Sequence, residues 1–297
     1  MKPTTTRRRF LKDTAVFVAA GVAMRTADAF AAAGEFTGEP AEQMPTIMLG
    51  DLKVSRVFLG SNPFFGYAHG NPQATAEEMR EWYTPERIMA VLDEAAELGI
   101  NAVWTPCYEN WVRVWNDYRE KGGKLKHWIA QPDRQPMDKE IITAIDNGAR
   151  AVCIQGCKID EHVGWKRWDV IRGWLELIKS HGLPAGMATH RATTHLEAEE
   201  KDMPTDFYHQ TMYRPDNFVK EGLEESLSVI EQLSKPVVGY KVLGAGRIHP
   251  ADALPYVFKR LKRKDGICVG VFPNKNPRQI HENAALTRKC TDGARNP

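Results

Sequence analysis

The chain has 297 residues and a formal net charge of +2, a length that suits one domain of about 250 residues or two smaller ones. Residues 1–29 hold six Lys or Arg and two acidic residues, so the remainder carries a net charge of about −2. A weakly acidic chain without a basic stripe has no electrostatic footprint for nucleic acid, which excludes that class of partner.

Near the N-terminus, Thr6–Lys12 (TRRRFLK) is similar to a twin-arginine export signal. The apolar run Thr14–Ala23 (TAVFVAAGVA) has about half of the ~20 residues that span a bilayer, so it is typical of a signal h-region. Small residues over 27–33 offer A-x-A cleavage sites. We therefore predict a signal peptide over 1–33, the twin-arginine (Tat) export machinery as a partner, no transmembrane anchor, and a periplasmic or otherwise exported product.

The remainder of the chain alternates short apolar runs with longer segments of helical period. Residues 34–46 are rich in Gly, Glu, Pro and Thr and predict a linker, followed by a domain over 47–290 and a tail over 291–297. Eight strands with intervening helices indicate βαβ units and a parallel sheet. These strands are predicted in VSRVFLGSN, INAVWTP, KHWIAQP, RAVCIQG, LPAGMATH, DFYHQTMY, KPVVGYKVLG and GICVGVFPN.

Two helices have clear local signals. In the first, Thr84 is a predicted N-cap, apolar residues recur at helical spacing over Pro85–Leu98, and Gly99 ends the segment. In the second, an apolar stripe over Trp168–Ile178 precedes a Gly-Leu-Pro sequence. Aromatic residues at this spacing indicate packing against a core rather than a stacking platform for a ligand.

The first strand ends in Gly60-Ser61-Asn62-Pro63 without a GxGxxG turn, which favours a closed barrel over an open doubly wound sheet. We therefore predict an α/β fold, a (β/α)8 TIM barrel over 47–290. Active-site residues in such barrels come from the carboxyl ends of the strands. Here those positions are Asn62, Thr105, Gln131, Gln155, His190, His209 or Gln210, Lys241 and Asn274.

Three segments resemble aldo-keto reductases: Leu49–Gly60 (LGDLKVSRVFLG), Ala95–Thr105 (AAELGINAVWT) and Asn276–Asn283 (NPRQIHEN). They resemble the opening hairpin and first strand, the first barrel helix and second strand, and the cofactor-proximal final loop and helix of that family. The resemblance implies a (β/α)8 barrel over 47 to about 287. It also implies NADP(H)-dependent reduction of a carbonyl or sugar-type substrate.

The catalytic tetrad that the resemblance implies is incomplete. Tyr108 matches the family's catalytic tyrosine and is the candidate proton donor. Trp104 stands where the family has an Asp, while Gln131 and Gln155 stand at or near the positions of its Lys and His. Neutral amides cannot lower the pKa of a phenol as a nearby lysine does. Tyr108 therefore lacks the neighbours that usually activate the tyrosine for carbonyl reduction.

The candidate cofactor site lies at the start of the final helix. There, backbone N–H groups and two cations could hold a phosphate of NADP(H). An ordinary capped helix with solvated charges explains the same sequence equally well. The candidate cofactor residues are Asn274, Lys275, Asn276, Arg278 and Asn283.

A second hypothesis uses His190, His209 and Lys241, which follow neighbouring strands, as the catalytic groups of a cofactor-free or metal-assisted lyase, isomerase or hydrolase. No HExxH sequence is present, and we assign no metal ligands. A non-catalytic barrel that binds a small molecule is a third hypothesis. Five cysteines without a CxxC pair indicate neither a zinc site nor a dense disulfide framework, and pairing of Cys153 with Cys157 stays open.

Overall fold

The computed structural model describes residues 43–213 and 220–292, and its strands alternate with helices as predicted. An antiparallel hairpin (β1 and β2) precedes the strands that form the barrel. The strands are β1 (Thr46–Leu49), β2 (Leu52–Ser55), β3 (Val57–Gly60), β4 (Ala102–Pro106), β5 (His127–Gln131), β6 (Ala151–Ile154), β7 (Ala185–Thr189), β8 (Phe207–Thr211), β9 (Val237–Tyr240) and β10 (Gly266–Gly270).

Strands β3 to β10 form a closed eight-stranded barrel with parallel pairing between neighbours. The ring closes where β10 pairs with β3, with Ile267 opposite Val57 and Gly270 opposite Gly60. At the last of these pairs, a Cβ on Gly60 would lie 2.8 Å from the Gly270 nitrogen, so the close approach requires glycine. The predicted (β/α)8 barrel is confirmed.

Helices alternate with the barrel strands and cover their outer surface. They are α1 (Ala76–Trp82), α2 (Pro85–Glu97), α3 (Glu109–Glu120), α4 (Met137–Asp146), α5 (Gly156–Gly164), α6 (Trp168–Ser180), α7 (Thr194–Glu200), α8 (Lys220–Gln232), α9 (Pro250–Phe258) and α10 (Gln279–Asp292). Helix α2 begins as predicted, because the Thr84 side chain accepts a hydrogen bond from the Arg87 N–H and Pro85 stands at the first helical position. Gly99 then adopts a φ of 81°, which ends the helix.

Two apolar clusters hold the layers together. One lies between the sheet and the helices and contains Leu92, Trp111 and Leu175. The other fills the barrel interior, where residues such as Phe58 and Trp104 join the buried side of the β1–β2 hairpin. The barrel is therefore a filled core, and the space for a ligand is left at its carboxyl end.

Several expectations concern residues 1–42, including the signal peptide and most of the linker, and these lie outside the described residues. Within the described ranges, no helix combines the length and the apolar character that crossing a bilayer requires. Helix α10 continues to Asp292, two residues past the predicted end of the domain at 290.

Truncation of the core should cost far more stability than truncation at the surface. We expect Leu92→Ala to lower the free energy of unfolding by about 2–5 kcal/mol, because Leu92 is fully buried between α2 and the sheet. The matched control is Met48→Ala on the hairpin, where the side chain is 44% exposed. Denaturant unfolding of both variants measures the difference, and equal losses would contradict this assignment of the core.

Candidate active site at the barrel mouth

The carboxyl ends of the barrel strands surround a cavity of about 470 Å³, a size usual for small-molecule sites. Its lining mixes aliphatic, aromatic and neutral polar residues, with charges at a few positions. It brings together the predicted strand-end residues Asn62, Gln131, Gln155, His190 and Lys241 with Tyr108. Further lining residues include Tyr67, His69, Asp133, Cys157, Tyr240, Lys275, Asn276 and Gln279.

At one side of this cavity, a thiol, an imidazole and a carboxylate form a connected group. The carboxylate Oδ2 of Asp160 lies 2.8 Å from Nδ1 of His190. The thiol of Cys157, which is exposed, lines the same cavity as this imidazole. Because Nδ1 serves Asp160, Nε2 is the ring nitrogen left for another partner.

Asp160 is fixed by more than the imidazole. The Thr189 hydroxyl donates to its Oδ1 at 2.5 Å, and the His190 backbone N–H donates to its Oδ2 at 3.1 Å. These contacts tie α5 to the end of β7. The carboxylate is therefore held in place before any ligand arrives, and it orients the ring of His190.

The hydrogen bonds set the protonation states of the group. Burial alone would lower the pKa of His190, but the bonds to Asp160 and Cys157 outweigh it and raise this pKa to about 8. The hydrogen bond from His190 lowers the pKa of Cys157, against the opposing effect of burial. Burial likewise opposes a lower pKa for Asp160, yet its bonds to His190 and Thr189 prevail and lower it. Near neutral pH, His190 is therefore mostly protonated.

Helix α5 places Cys157 and Asp160 for this contact. Gln155 caps the helix, since its side-chain oxygen accepts from the Lys158 N–H at 3.2 Å. Cys157 and Asp160 are three residues apart and share one helix face. A Cβ on Gly156 would lie 3.0 Å from Cε1 of His190, so the imidazole packs directly on the backbone of the first turn.

Tyr108 lies in the cavity, but its hydroxyl lacks the partners that would activate it as a proton donor. Its hydroxyl donates to Asp133 Oδ2 at 2.7 Å and contacts the Tyr67 hydroxyl at 3.0 Å. Burial, the hydrogen bonds with these two residues and the charge of Asp133 raise the pKa of Tyr108 far above its usual value. The guanidinium of Arg134 covers the ring at 4.1 Å. This environment opposes ionisation of the phenol.

Lys241 and His69 place basic groups in the same cavity. Lys241 has a φ of 60°, a left-handed conformation that turns the chain sharply after β9. Burial lowers the pKa of its amine, and the nearby thiol of Cys157 opposes this. Burial, together with the charges of Lys241, His190 and Arg247, lowers the pKa of His69 to about 4. His69 is therefore neutral near pH 7, and its Nε2 lies 3.0 Å from the Asn62 amide nitrogen.

His209 does not reach the barrel mouth, contrary to the expectation. It is fully buried in the barrel interior, with its ring 4.2 Å from that of Trp104, and it does not line the cavity. Burial and the charge of His195 lower its pKa to about 3. Thr105 and Gln210 are also buried and stand apart from the cavity lining. The side chains of alternate residues of a strand face opposite ways, so a position at a strand end does not guarantee access.

The candidate cofactor residues separate into two groups. Lys275 and Asn276 line the cavity, whereas Asn274 and Arg278 are exposed outside its lining. Lys275 pairs with Glu78 at 2.7 Å. Asn283 is 2% exposed, and neither its amide oxygen nor its amide nitrogen has a hydrogen-bond partner among the described residues. A phosphate would therefore meet Lys275 and Arg278 first.

Sequence analysis identified His190 but missed Cys157, Asp160 and Asp133 as members of the site. Cys157 and Asp160 lie on α5, which lacks the long apolar stripe that marks α2 and α6. Its signal was a Cys-x-x-Asp spacing directly after a buried strand, followed by a histidine at the end of the next strand. All five cysteines lie within the described part and are free thiols, so Cys153 and Cys157 are not bonded to each other.

Removal of the Asp160 charge should change the titration of His190. We expect Asp160→Asn to lower the pKa of His190 from about 8 to below 7, because burial and the charge of Lys241 remain and both disfavour the protonated ring. The matched control is Glu161→Gln, which removes the adjacent carboxylate that pairs with Lys158. Histidine NMR titration measures both. An unchanged pKa in the Asp160 variant would refute this account of the His190 environment.

Comparison with known proteins supports the barrel fold alone. No family model and no curated protein matches the sequence. Among the described residues, no group of three or more His, Cys, Asp or Glu side chains is arranged to hold a metal ion.

Solved structures give clear matches. One is assigned as an aldo-keto reductase from Pseudomonas aeruginosa, with 15% identity and a TM-score of 0.60 over 87% of this chain and 99% of that one. A second structure with the same assignment and organism has 16% identity and a TM-score of 0.56 over 83% and 94% of the two chains. A protein assigned as a 2,5-diketo-D-gluconic acid reductase B has 12% identity and a TM-score of 0.53 over 85% and 91%. The chain thus shares the barrel fold of solved structures assigned as aldo-keto reductases.

Proposed function

We propose that this protein is an oxidoreductase of aldo-keto reductase type that uses NADP(H) to act on a carbonyl or sugar-type substrate at the barrel mouth. The observation that carries the proposal is the imidazole of His190, held by Asp160 at a cavity of polar, aromatic and aliphatic groups. Polar side chains and aromatic faces together suit a polyhydroxyl or carbonyl compound. The shared fold with reductase structures supports the same class of reaction.

The proton donor in this proposal is His190 in place of Tyr108. When a hydride adds to a carbonyl carbon, the oxygen must receive a proton from an acid whose pKa is near the working pH. His190, with a pKa of about 8, meets that need. The phenol of Tyr108 donates to Asp133 already, and its pKa is raised. The Tyr108 hydroxyl is better suited to hold the substrate by hydrogen bonding.

The donor set fits one end of the cofactor. Lys275 and Arg278 flank the start of α10, where cations and helix N–H groups favour phosphate. The cavity runs from Lys275 and Asn276 to His190, so a ligand held by its phosphates at α10 would extend toward the proton donor. To bind phosphate, Lys275 must exchange its present partner, Glu78.

The residues of this chain would then divide the work as follows. Lys275 and Arg278 would hold NADPH, which would supply the hydride for the carbonyl carbon. His190 gives the proton on Nε2 to the carbonyl oxygen, and Asp160 stabilises the charged ring until that transfer. The amides of Gln131 and Gln155 and the hydroxyl of Tyr67 are placed to orient substrate hydroxyls. The product is an alcohol, and solvent protonates His190 again.

The other hypotheses have less support. His209 does not reach the cavity, so a catalytic group of His190, His209 and Lys241 would lack one member. A barrel that only binds a ligand leaves the arrangement of Asp160 and His190 without a purpose.

We also propose export through the Tat pathway, as the N-terminal sequence indicates. That pathway carries folded proteins, so NADP(H) would be loaded before export.

Nicotinamide binding tests the cofactor part of the proposal. We expect the full chain to bind NADPH, and Lys275→Ala and Arg278→Ala each to weaken binding about tenfold by removing a phosphate contact. The matched control is Lys289→Ala, an exposed cation in the last turn of the same helix. Fluorescence titration of the reduced nicotinamide measures all four proteins. No binding by the unmodified chain would remove the redox function and leave the fold unaffected.

Substitutions at the two candidate acids distinguish their roles. With a panel of aldehydes and ketosugars and NADPH oxidation as the assay, we expect His190→Gln to lower kcat about 10²–10⁴-fold. Tyr108→Phe should lose about tenfold or less, as expected for a lost hydrogen bond. The unmodified protein should lose activity as the pH rises through about 8, where His190 gives up its proton. A larger loss in the Tyr108 variant would return the acid role to the phenol.

A further inference from the structure

We propose that Cys157 is a nucleophile, activated by His190 and oriented through Asp160, that accepts an acyl group from a small ester or thioester at the barrel mouth. This activity goes beyond the proposed reduction and does not depend on a nicotinamide. It rests on three neighbouring side chains: an exposed thiol and an imidazole that both line the cavity, and a carboxylate bonded to Nδ1 of that imidazole. A thiol, a base and a group that orients the base are the parts that covalent catalysis by cysteine requires.

The other cysteines of the chain show what an inert thiol looks like here. Cys107, Cys153 and Cys268 are buried, and Cys290 is half-buried. Burial raises the pKa of each of these four thiols. Cys157 differs in both respects, because it is exposed to the cavity and its pKa is lowered by His190. The nucleophilic thiolate form is therefore more accessible at Cys157 than at the other four cysteines.

The surroundings of Cys157 suit a reaction at an acyl carbon. The thiol lies in the first turn of α5, where backbone N–H groups lack intrahelical acceptors and can stabilise negative charge on an acyl oxygen. Lys241 adds a cation in the same cavity. His190 is anchored by packing on Gly156 and by the bond to Asp160, so its free nitrogen is aimed without a ligand present.

The reaction balances without a redox partner. The sulfur of Cys157 attacks the carbonyl carbon, a C–S bond forms, and the bond from that carbon to the alcohol or thiol leaving group breaks. The electron pair departs with the leaving group, which takes the proton from Nε2 of His190. Water then attacks the thioester, and His190 takes a proton from the water. The thiolate leaves as the carboxylic acid is released, and the starting state returns.

The pH dependence of the thiol follows from the groups that face it. His190 lowers the pKa of the Cys157 thiol and so favours the thiolate, whereas burial and the charge of Asp160 oppose it. Lys241, after β9, contributes a positive charge, while Tyr240 and His69 are neutral near pH 7. We therefore expect modification of Cys157 to reach half of its maximal rate below the ordinary thiol value of about 8.5.

The test uses the full chain and p-nitrophenyl acetate without nicotinamide. We expect a burst of p-nitrophenolate close to one equivalent per chain, and peptide mass spectrometry should locate the acetyl group on Cys157. Prior treatment with iodoacetamide and the substitution Cys157→Ser should each abolish the burst. The matched control, Cys290→Ser, removes the half-buried thiol on α10 and should leave the burst unchanged.

His190→Gln and Asp160→Asn test whether the neighbours activate the thiol. His190→Gln should slow acetylation about 10²–10⁴-fold, and both variants should move the midpoint of the rate against pH upward. Circular dichroism confirms that each variant is folded. Acetylation on Lys241 or another residue, no acetylation at all, or an unchanged rate and midpoint in the folded His190 variant would overturn the proposal.

Discussion

Closure of the parallel barrel is the constraint on which the candidate site depends. Because β10 pairs with both β9 and β3, the carboxyl ends of all eight strands form one ring. At the opposite end of the barrel, the buried side chain of Arg56 donates to the backbone oxygens of Asp265 and Lys262, each at 2.8 Å. These bonds tie the start of β3 to the turn that precedes β10. Residues far apart in sequence, such as Tyr108 and Lys241, therefore share one cavity.

Within that cavity, burial acts on the pKa values of His190, His69 and Tyr108, and the local partners decide the outcome. Asp160 and Cys157 reverse the effect of burial on His190, so its pKa rises. His69 has cationic neighbours instead, and its pKa falls to about 4. Asp133 adds to the effect of burial on Tyr108 and raises the pKa of the phenol further. One imidazole is thus an acid near neutral pH, while the other imidazole and the phenol stay neutral.

The sequence predicted the barrel more fully than its chemistry. Strong signals, such as the cap at Thr84 and the stripe over Trp168–Ile178, correspond to helices in the structure because each reflects local burial and capping. The placement of His190 and Lys241 at the mouth followed from barrel geometry alone. The role of Asp160 could not be predicted, because it depends on packing between α5 and the end of β7. His209 lies inside because the facing of a strand residue depends on register, which the sequence pattern left uncertain.

The first turn of α5 explains how so small a segment builds a reactive group. Helical spacing sets Cys157 and Asp160 on one face, and the imidazole of His190 can serve both only if it lies close against that face. Gly156 permits this approach, since any Cβ there would press on the ring. A larger residue would move His190 away from the thiol or the carboxylate. The glycine is therefore as much a requirement of the site as the three polar side chains.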